Sequence, residues 1–193
     1  SGFAHHVPAL EAVQPEDLEA ADIEVKLGTV WIPAKYIEEF MFELLDTSYY
    51  AKHSINVSYS KYTGAWHVSN KSMDGDSIAA REAYGTSRIN AYQIIEETLN
   101  QKNVRITDKV VHPDGKEEYV LNTKETFFAM QKQNLIRDAF KDWIFRDEDR
   151  RKYLVSYYNE HFNNIRPREY NGDHLILDRK SVVLGKSVYI GGG

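Results

Sequence analysis

Two apolar stripes at helical spacing, separated by a break at Arg146-Asp147, constrain this chain more than any other feature. Phe128, Leu135-Ile136, Ala139, Phe140, Trp143 and Ile144 form the first stripe, and Leu154, Tyr157, Tyr158, Phe162 and Ile165 form the second at i, i+3, i+4. Asp147 is placed to cap the second helix, and Glu148 and Asp149 suit the positive end of its dipole. Pro167 stops that helix, Arg166 is biased out of the helical region because a proline follows it, and Asn171-Gly172 marks a turn. The pattern predicts a C-terminal helical hairpin, then a basic, turn-rich exit segment over Asn163–Leu175.

The preceding residues alternate between helical and strand-like patterns. Pro15 stands where a helix or turn would begin within the acidic stretch Ala9–Ala21. Ile23–Trp31 reads as a short strand or extended segment broken at Gly28. Pro33 then starts a helix with Tyr36, Ile37, Phe40, Met41, Leu44 and Leu45 on one face, and Glu38-Glu39 on the solvated side. Over Ser54–Ser69, Ile55, Val57 and Tyr59 alternate up to Lys61-Tyr62-Thr63-Gly64, and Trp66 and Val68 alternate back, which predicts a hairpin. Asn70–Ser77 is a polar loop, and Ile78–Tyr84 has no clear period. Gly85-Thr86-Ser87 is expected to cap a helix striped by Ile89, Tyr92, Ile95 and Leu99, with Glu96 and Glu97 facing outward. A second hairpin spans Val104–Leu121 around His112-Pro113-Asp114-Gly115-Lys116, and Thr123 is expected to cap the long helix. The order of helices and hairpins predicts an α+β fold rather than βαβ units.

Composition narrows the function classes. At 193 residues, 42% hydrophobic and 12% aromatic, the chain is long enough and apolar enough to bury a core. Without cysteine it can form neither disulfides nor thiolate metal sites, which fits a cytoplasmic location. No apolar run reaches membrane-spanning length, so no membrane partner is expected. A net charge of −5 argues against a broad electrostatic grip on DNA.

The sequence offers no catalytic or metal-ligating set. Gly185-Lys186-Ser187 resembles the end of a phosphate loop, but Lys180 stands where its first glycine belongs. Asp147-Glu148-Asp149-Arg150 opens a helix, so capping explains it better than a magnesium-binding acidic box. All five prolines are isolated, which excludes an Asn/Asp-Pro-Pro-aromatic methylase motif. His5-His6 lacks a third ligand at helical spacing, and Asp114 is explained by its turn. Possible nucleic-acid contacts remain: Tyr59 and Trp66 for base stacking, and Arg150, Arg151, Arg166 and Arg168 for phosphate. Cross-strand packing of the two aromatics and solvation of the arginines explain the same residues and are favoured by the acidic balance.

KDWIFRDEDRRKYLVSYYNEHFNNIRPREYNGDHL, together with ALEAVQPEDL, LGTVWIPAKYIEEFM, AYGTSRINAYQIIEETLN and TKETFFAMQKQNLIRDAFKDWIF, resembles a segment of very large phage and mobile-element proteins. Those proteins join an adenine DNA methylase region to a Swi/Snf-type helicase of superfamily 2. The resemblance covers about Ala9–Leu175 and implies residues 9–175 as a non-catalytic accessory domain just before a helicase motor. DNA would be a partner through the parent protein, and ATP, magnesium and S-adenosylmethionine would be cofactors of the parent alone. Residues 1–8 read as a ragged end. Residues 176–193 are set aside, because Asp178–Gly193 resembles a translated sequencing adapter. Removing its three basic residues and one acidic residue leaves 21 basic and 28 acidic residues, a net of −7. The alternatives are an independent nucleic-acid-binding module built on the first hairpin and the arginines, and a stand-alone enzyme, which no residue set calls for.

Overall fold

The structure is a computed structural model, and it describes residues 16–163. These form two compact units, one of residues 16–24 with 145–163 and the other of Val25–Ile144. The fold is α+β, as expected. The larger unit holds α1 (Ala34–Leu44), the short α2 (Tyr49–Lys52), hairpin β1 (Val57–Ser60) and β2 (Ala65–Val68), α3 (Ala91–Leu99), hairpin β3 (Thr107–Val111) and β4 (Glu117–Leu121), and α4 (Thr123–Ile144). The smaller unit holds a 3-10 turn (Ala20–Asp22) and α5 (Glu148–His161). Both two-stranded sheets are antiparallel. The exit segment with Ile165, Arg166, Pro167, Arg168 and Asn171-Gly172 lies outside the described residues, as do both chain ends.

The core of the larger unit is aromatic. Phe40 of α1 meets Phe140 of α4 edge-on with ring centroids 5.1 Å apart, and Trp143 joins them at 5.6 Å from Phe40. Trp143 also donates its Nε1–H to Glu43 Oε2 at 2.9 Å, so the indole is buried with its polar atom satisfied. Ile94, Ile95 and Leu99 of α3 complete this core together with Tyr92. The predicted apolar faces of α1 and α3 are buried, with Leu44 and Ile89 at their margins half-buried.

The N-terminal half of α4 departs from its expected stripe. Phe128 and Leu135 are exposed, Ala129 and Gln133 are buried instead, and Ile136 is buried as expected. The side chains at 129, 133, 136 and 140 follow the helical period once a glutamine is admitted to the buried face. Hydrophobicity alone selected its neighbours. The two helices of the predicted hairpin are both present and fall in different units.

Two capping assignments shift. Asn90, not Gly85-Thr86-Ser87, caps α3: its Oδ1 accepts the Gln93 N–H at 3.0 Å, and Gln93 Oε1 accepts the Asn90 N–H at 2.9 Å. Thr86 instead holds a local turn by accepting the N–H groups of Arg88 and Ile89. Asn122, not Thr123, accepts the Glu125 N–H at the start of α4. Both shifts have one cause, that the asparagine oxygen reaches the third N–H of the helix from the residue just before it. Asp147 caps α5 as predicted, accepting the Arg150 N–H at 2.9 Å.

Residues 23–31 are extended and turned without pairing as a strand. Gly28 sits at φ +102°, and a Cβ there would press on the Leu99 carbonyl oxygen at 2.5 Å. The loop therefore lies against the end of α3 because this residue has no side chain. Ile78–Tyr84, ambiguous in sequence, contains a π-helical turn (Ala79–Ala83).

Candidate interaction surfaces

The first hairpin has the predicted register, with Tyr59 directly opposite Trp66 and ring centroids 5.0 Å apart. Trp66 is 4% exposed and Tyr59 half-buried. The pair is thus packed together, and a base could stack on Trp66 only by displacing that packing. The Trp66 Nε1–H has no hydrogen-bond partner among the described residues.

The edges of this hairpin are held by helix side chains. On α3, Glu96 Oε2 accepts the Val68 N–H at 2.8 Å, and one turn on Asn100 Oδ1 accepts the Trp66 N–H at 2.8 Å while its Nδ2 donates to the Trp66 carbonyl at 3.0 Å. On α1, Glu38 Oε2 accepts the Val57 N–H at 3.0 Å. Glu38 and Glu96, read from sequence as outward-facing, therefore act as edge acceptors. Period alone could not show this, because the partner strands lie 19 and 28 residues away. Glu96 also pairs with Lys71 at 3.0 Å and His67 at 3.3 Å. Burial raises its pKa, but the Val68 N–H, Lys71 and His67 together outweigh burial and leave its carboxyl below the usual range.

A second polar cluster centres on Tyr92. Its hydroxyl lies 2.6 Å from Thr47 Oγ1 and donates to Asp74 Oδ2 at 2.7 Å. Burial is the main cause of a strongly raised phenol pKa, so the ring stays neutral and acts as a buried strut.

The second hairpin is different in kind. Every residue of β4 is exposed, and so are Val110 and Val111 of β3. Several of its polar side chains have partners at short range. Lys109 Nζ meets Glu117 at 2.9 Å, His112 Nε2 meets Glu118 at 2.9 Å, and Asp108 is held by Asn122 at 2.8 Å and Arg88 at 2.8 Å. The Asn122 amide first, and Arg88 next, keep the Asp108 carboxyl below the usual range. Alongside these charged side chains the hairpin also exposes apolar ones, Val111, Tyr119, Val120 and Leu121, and Phe127 and Phe128 in the first turns of α4 are exposed as well. An isolated two-stranded hairpin is marginal in water, and contiguous exposed apolar side chains mark contact surfaces. The sequence placed this hairpin and its turn correctly, but not its exposed faces.

Of the other expected contacts, Arg150 and Arg151 lie side by side in the first turn of α5, and Arg151 Nη1 donates to the Phe145 carbonyl at 3.0 Å. They belong to a different unit from Tyr59 and Trp66. Arg166 and Arg168 lie outside the described residues. Sequence reasoning passed over the most exposed aromatics, Tyr49, Tyr50 and Tyr62. Their signal was their position beside Lys52 and Lys61 in segments with no apolar period.

In the smaller unit, α5 and residues 17–21 enclose an open groove of about 720 Å³. Among the described residues no group of three His, Asp or Glu side chains is placed to hold a metal, and no helix is long and apolar enough to cross a membrane.

A family model described as a domain of unknown function (DUF8437) matches residues 26–164. No curated protein and no solved structure matches the chain.

Proposed function

The chain belongs to the DUF8437 family, a domain of unknown function, and we propose that it is a non-catalytic accessory region of a cytoplasmic DNA helicase–DNA methylase that acts on phage or mobile-element DNA. In this reading the chain connects the methylase region to the helicase motor and holds them in register. DNA is reached through the parent protein, which binds ATP, magnesium and S-adenosylmethionine in its own catalytic regions.

The projecting hairpin β3–β4 carries this reading. Lys109 and Asp108 each have a charged partner at short range, so fewer bare charges would face a covering surface. The hairpin's outward apolar side chains, with Phe127 and Phe128, suit packing against another region of the same polypeptide. The sequence resemblance supplies the identity of that region.

Hydrogen exchange tests the reading. The backbone amides of 107–121 are compared in this chain alone and in the longer polypeptide encoded at the source locus. The reading expects the hairpin amides to exchange at least about tenfold more slowly in the longer protein, as burial against a partner surface requires. Equal rates in both would remove the hairpin as a connecting surface. Val111→Lys, at an exposed position opposite Glu117, should leave the chain's own stability within about 0.5 kcal/mol while abolishing the added protection.

A second reading rests on Tyr49, Tyr50 and Tyr62, which stand exposed near Lys52 and Lys61 in the sequence. Exposed aromatics with nearby cations are the material of a single-strand stacking surface. This reading expects salt-sensitive binding of single-stranded DNA by the chain alone, weakened by Tyr50→Ala. No binding at low salt would dismiss it.

A further inference from the structure

We propose that β4 is a pairing edge, through which two copies of this chain join antiparallel into one continuous sheet. Two bonds at the ends of the second hairpin fix which of its backbone groups face inward. The His112 N–H donates to the Lys116 carbonyl at 2.8 Å, and the Asn122 N–H donates to the Ile106 carbonyl at 2.8 Å. The even-numbered residues between them therefore bond across the hairpin, and the odd-numbered ones turn their N–H and C=O groups outward. On β4 the outward residues are Glu117, Tyr119 and Leu121.

Elsewhere in the same unit such edges are covered. The outward N–H groups of the first hairpin, at Val57, Trp66 and Val68, are taken by Glu38, Asn100 and Glu96. On β3 the outward Thr107 carbonyl accepts from Arg88 Nη2 at 3.0 Å. Among the described residues no group reaches the outward backbone of Glu117, Tyr119 or Leu121, and every residue of β4 is exposed. An open edge of this kind is a template for another strand. The hairpin also lacks the third strand that a sheet needs for stability of its own.

A second copy fits this edge because its outward residues are symmetric about Tyr119. A two-fold axis there sets Tyr119 opposite its own counterpart, Glu117 opposite Leu121 of the other copy, and Glu118 opposite Val120 of the other copy. Each outward N–H then meets an outward C=O. No like charges stand directly opposite each other, which would weaken a cross-strand pair, and the two tyrosines form an aromatic pair across the new boundary. Glu117 and Glu118 keep the neighbours they have within the hairpin, Lys109 and His112. Pairing at the edge leaves both faces of the hairpin open to the packing proposed above, so the inference stands apart from the connecting-region reading.

Sedimentation equilibrium of the full chain tests this. One strand edge is a small interface, so wild type is expected to be monomeric near about 10 μM and mostly dimeric near about 1 mM. Tyr119→Pro removes an N–H that the hairpin itself does not use, at an edge position where proline is tolerated. It should weaken the dimer by about tenfold or more, whereas Tyr119→Thr keeps the N–H and should still dimerise. A wild-type chain that stays monomeric at about 1 mM would overturn the proposal and leave the edge to a strand from elsewhere. A Tyr119→Pro chain that dimerises as wild type does would also overturn it. Wild type gives a measurement independent of any folding defect: the Glu117, Tyr119 and Leu121 amides should exchange about fivefold or more slowly at the higher concentration. Unchanged rates would overturn the proposal as well.

Discussion

Gln133 of α4 and Thr98 of α3, both buried, are joined by a hydrogen bond from Gln133 Nε2 to Thr98 Oγ1 at 3.0 Å. The same amide nitrogen donates to the Lys102 carbonyl at 2.8 Å, and Oε1 accepts the Val104 N–H at 3.2 Å. One side chain thus satisfies the chain where it leaves α3. Gln133→Leu keeps the volume but strands the Val104 N–H and the Lys102 carbonyl. At about 1–3 kcal/mol for each buried group left unpaired, a loss of about 3 kcal/mol is expected. Urea unfolding checks this through a lower midpoint with an unchanged slope.

Glu96 makes stability depend on pH. Its folded pKa is depressed below the ordinary 4.5, so its contribution is complete above that value and is lost as pH falls through the lower folded value. Glu96→Gln keeps an oxygen for the Val68 N–H but gives up the ion pair with Lys71 and the carboxylate contact with His67. The variant should be about 1 kcal/mol less stable at neutral pH, an amount discounted for partial solvent screening. Its stability should also fall less steeply below pH 4.5 than that of wild type. Parallel acid limbs in the two proteins would show that Glu96 is not the group responsible.

Trp66 combines a large packed ring with an unpartnered donor. Trp66→Phe removes that donor along with some buried area, and the two effects oppose each other. A change within about 1 kcal/mol is expected. Trp66→Ala removes the ring from Tyr59 and should cost about 3–5 kcal/mol. Thermal unfolding of the two variants separates ring packing from the N–H.

Gly28 is tested by Gly28→Ala. The positive φ and the close Leu99 carbonyl both oppose a methyl group there, so a loss of about 1–3 kcal/mol is expected. Gly115, also at positive φ, has nothing near its Cβ position. Gly115→Ala meets only the conformational penalty and should cost less than Gly28→Ala in the same assay.

The sequence made the elements legible where period and turn chemistry agree. Tyr59 opposite Trp66 followed from counting out from Lys61–Gly64, and Asp147 followed from the break between two stripes. Residues that act across long separations stayed hidden. Asn159 reaches a residue 141 positions away and Gln133 one 29 positions away. A buried amide leaves no mark on a hydrophobic pattern, so Phe128 and Leu135 were assigned the face that Ala129 and Gln133 occupy. The outward faces of β3 and β4 were hidden for the opposite reason, since alternation implies one buried side and this hairpin exposes both.

The most direct test of the connecting-region proposal is to sequence the source locus with long reads across both ends of the chain. The proposal predicts a reading frame that continues past Leu175 into a GxxxxGK[ST] loop and a later acidic box, with an Asn/Asp-Pro-Pro-aromatic motif upstream. A frame that ends near Gly193 in genomic DNA would contradict it.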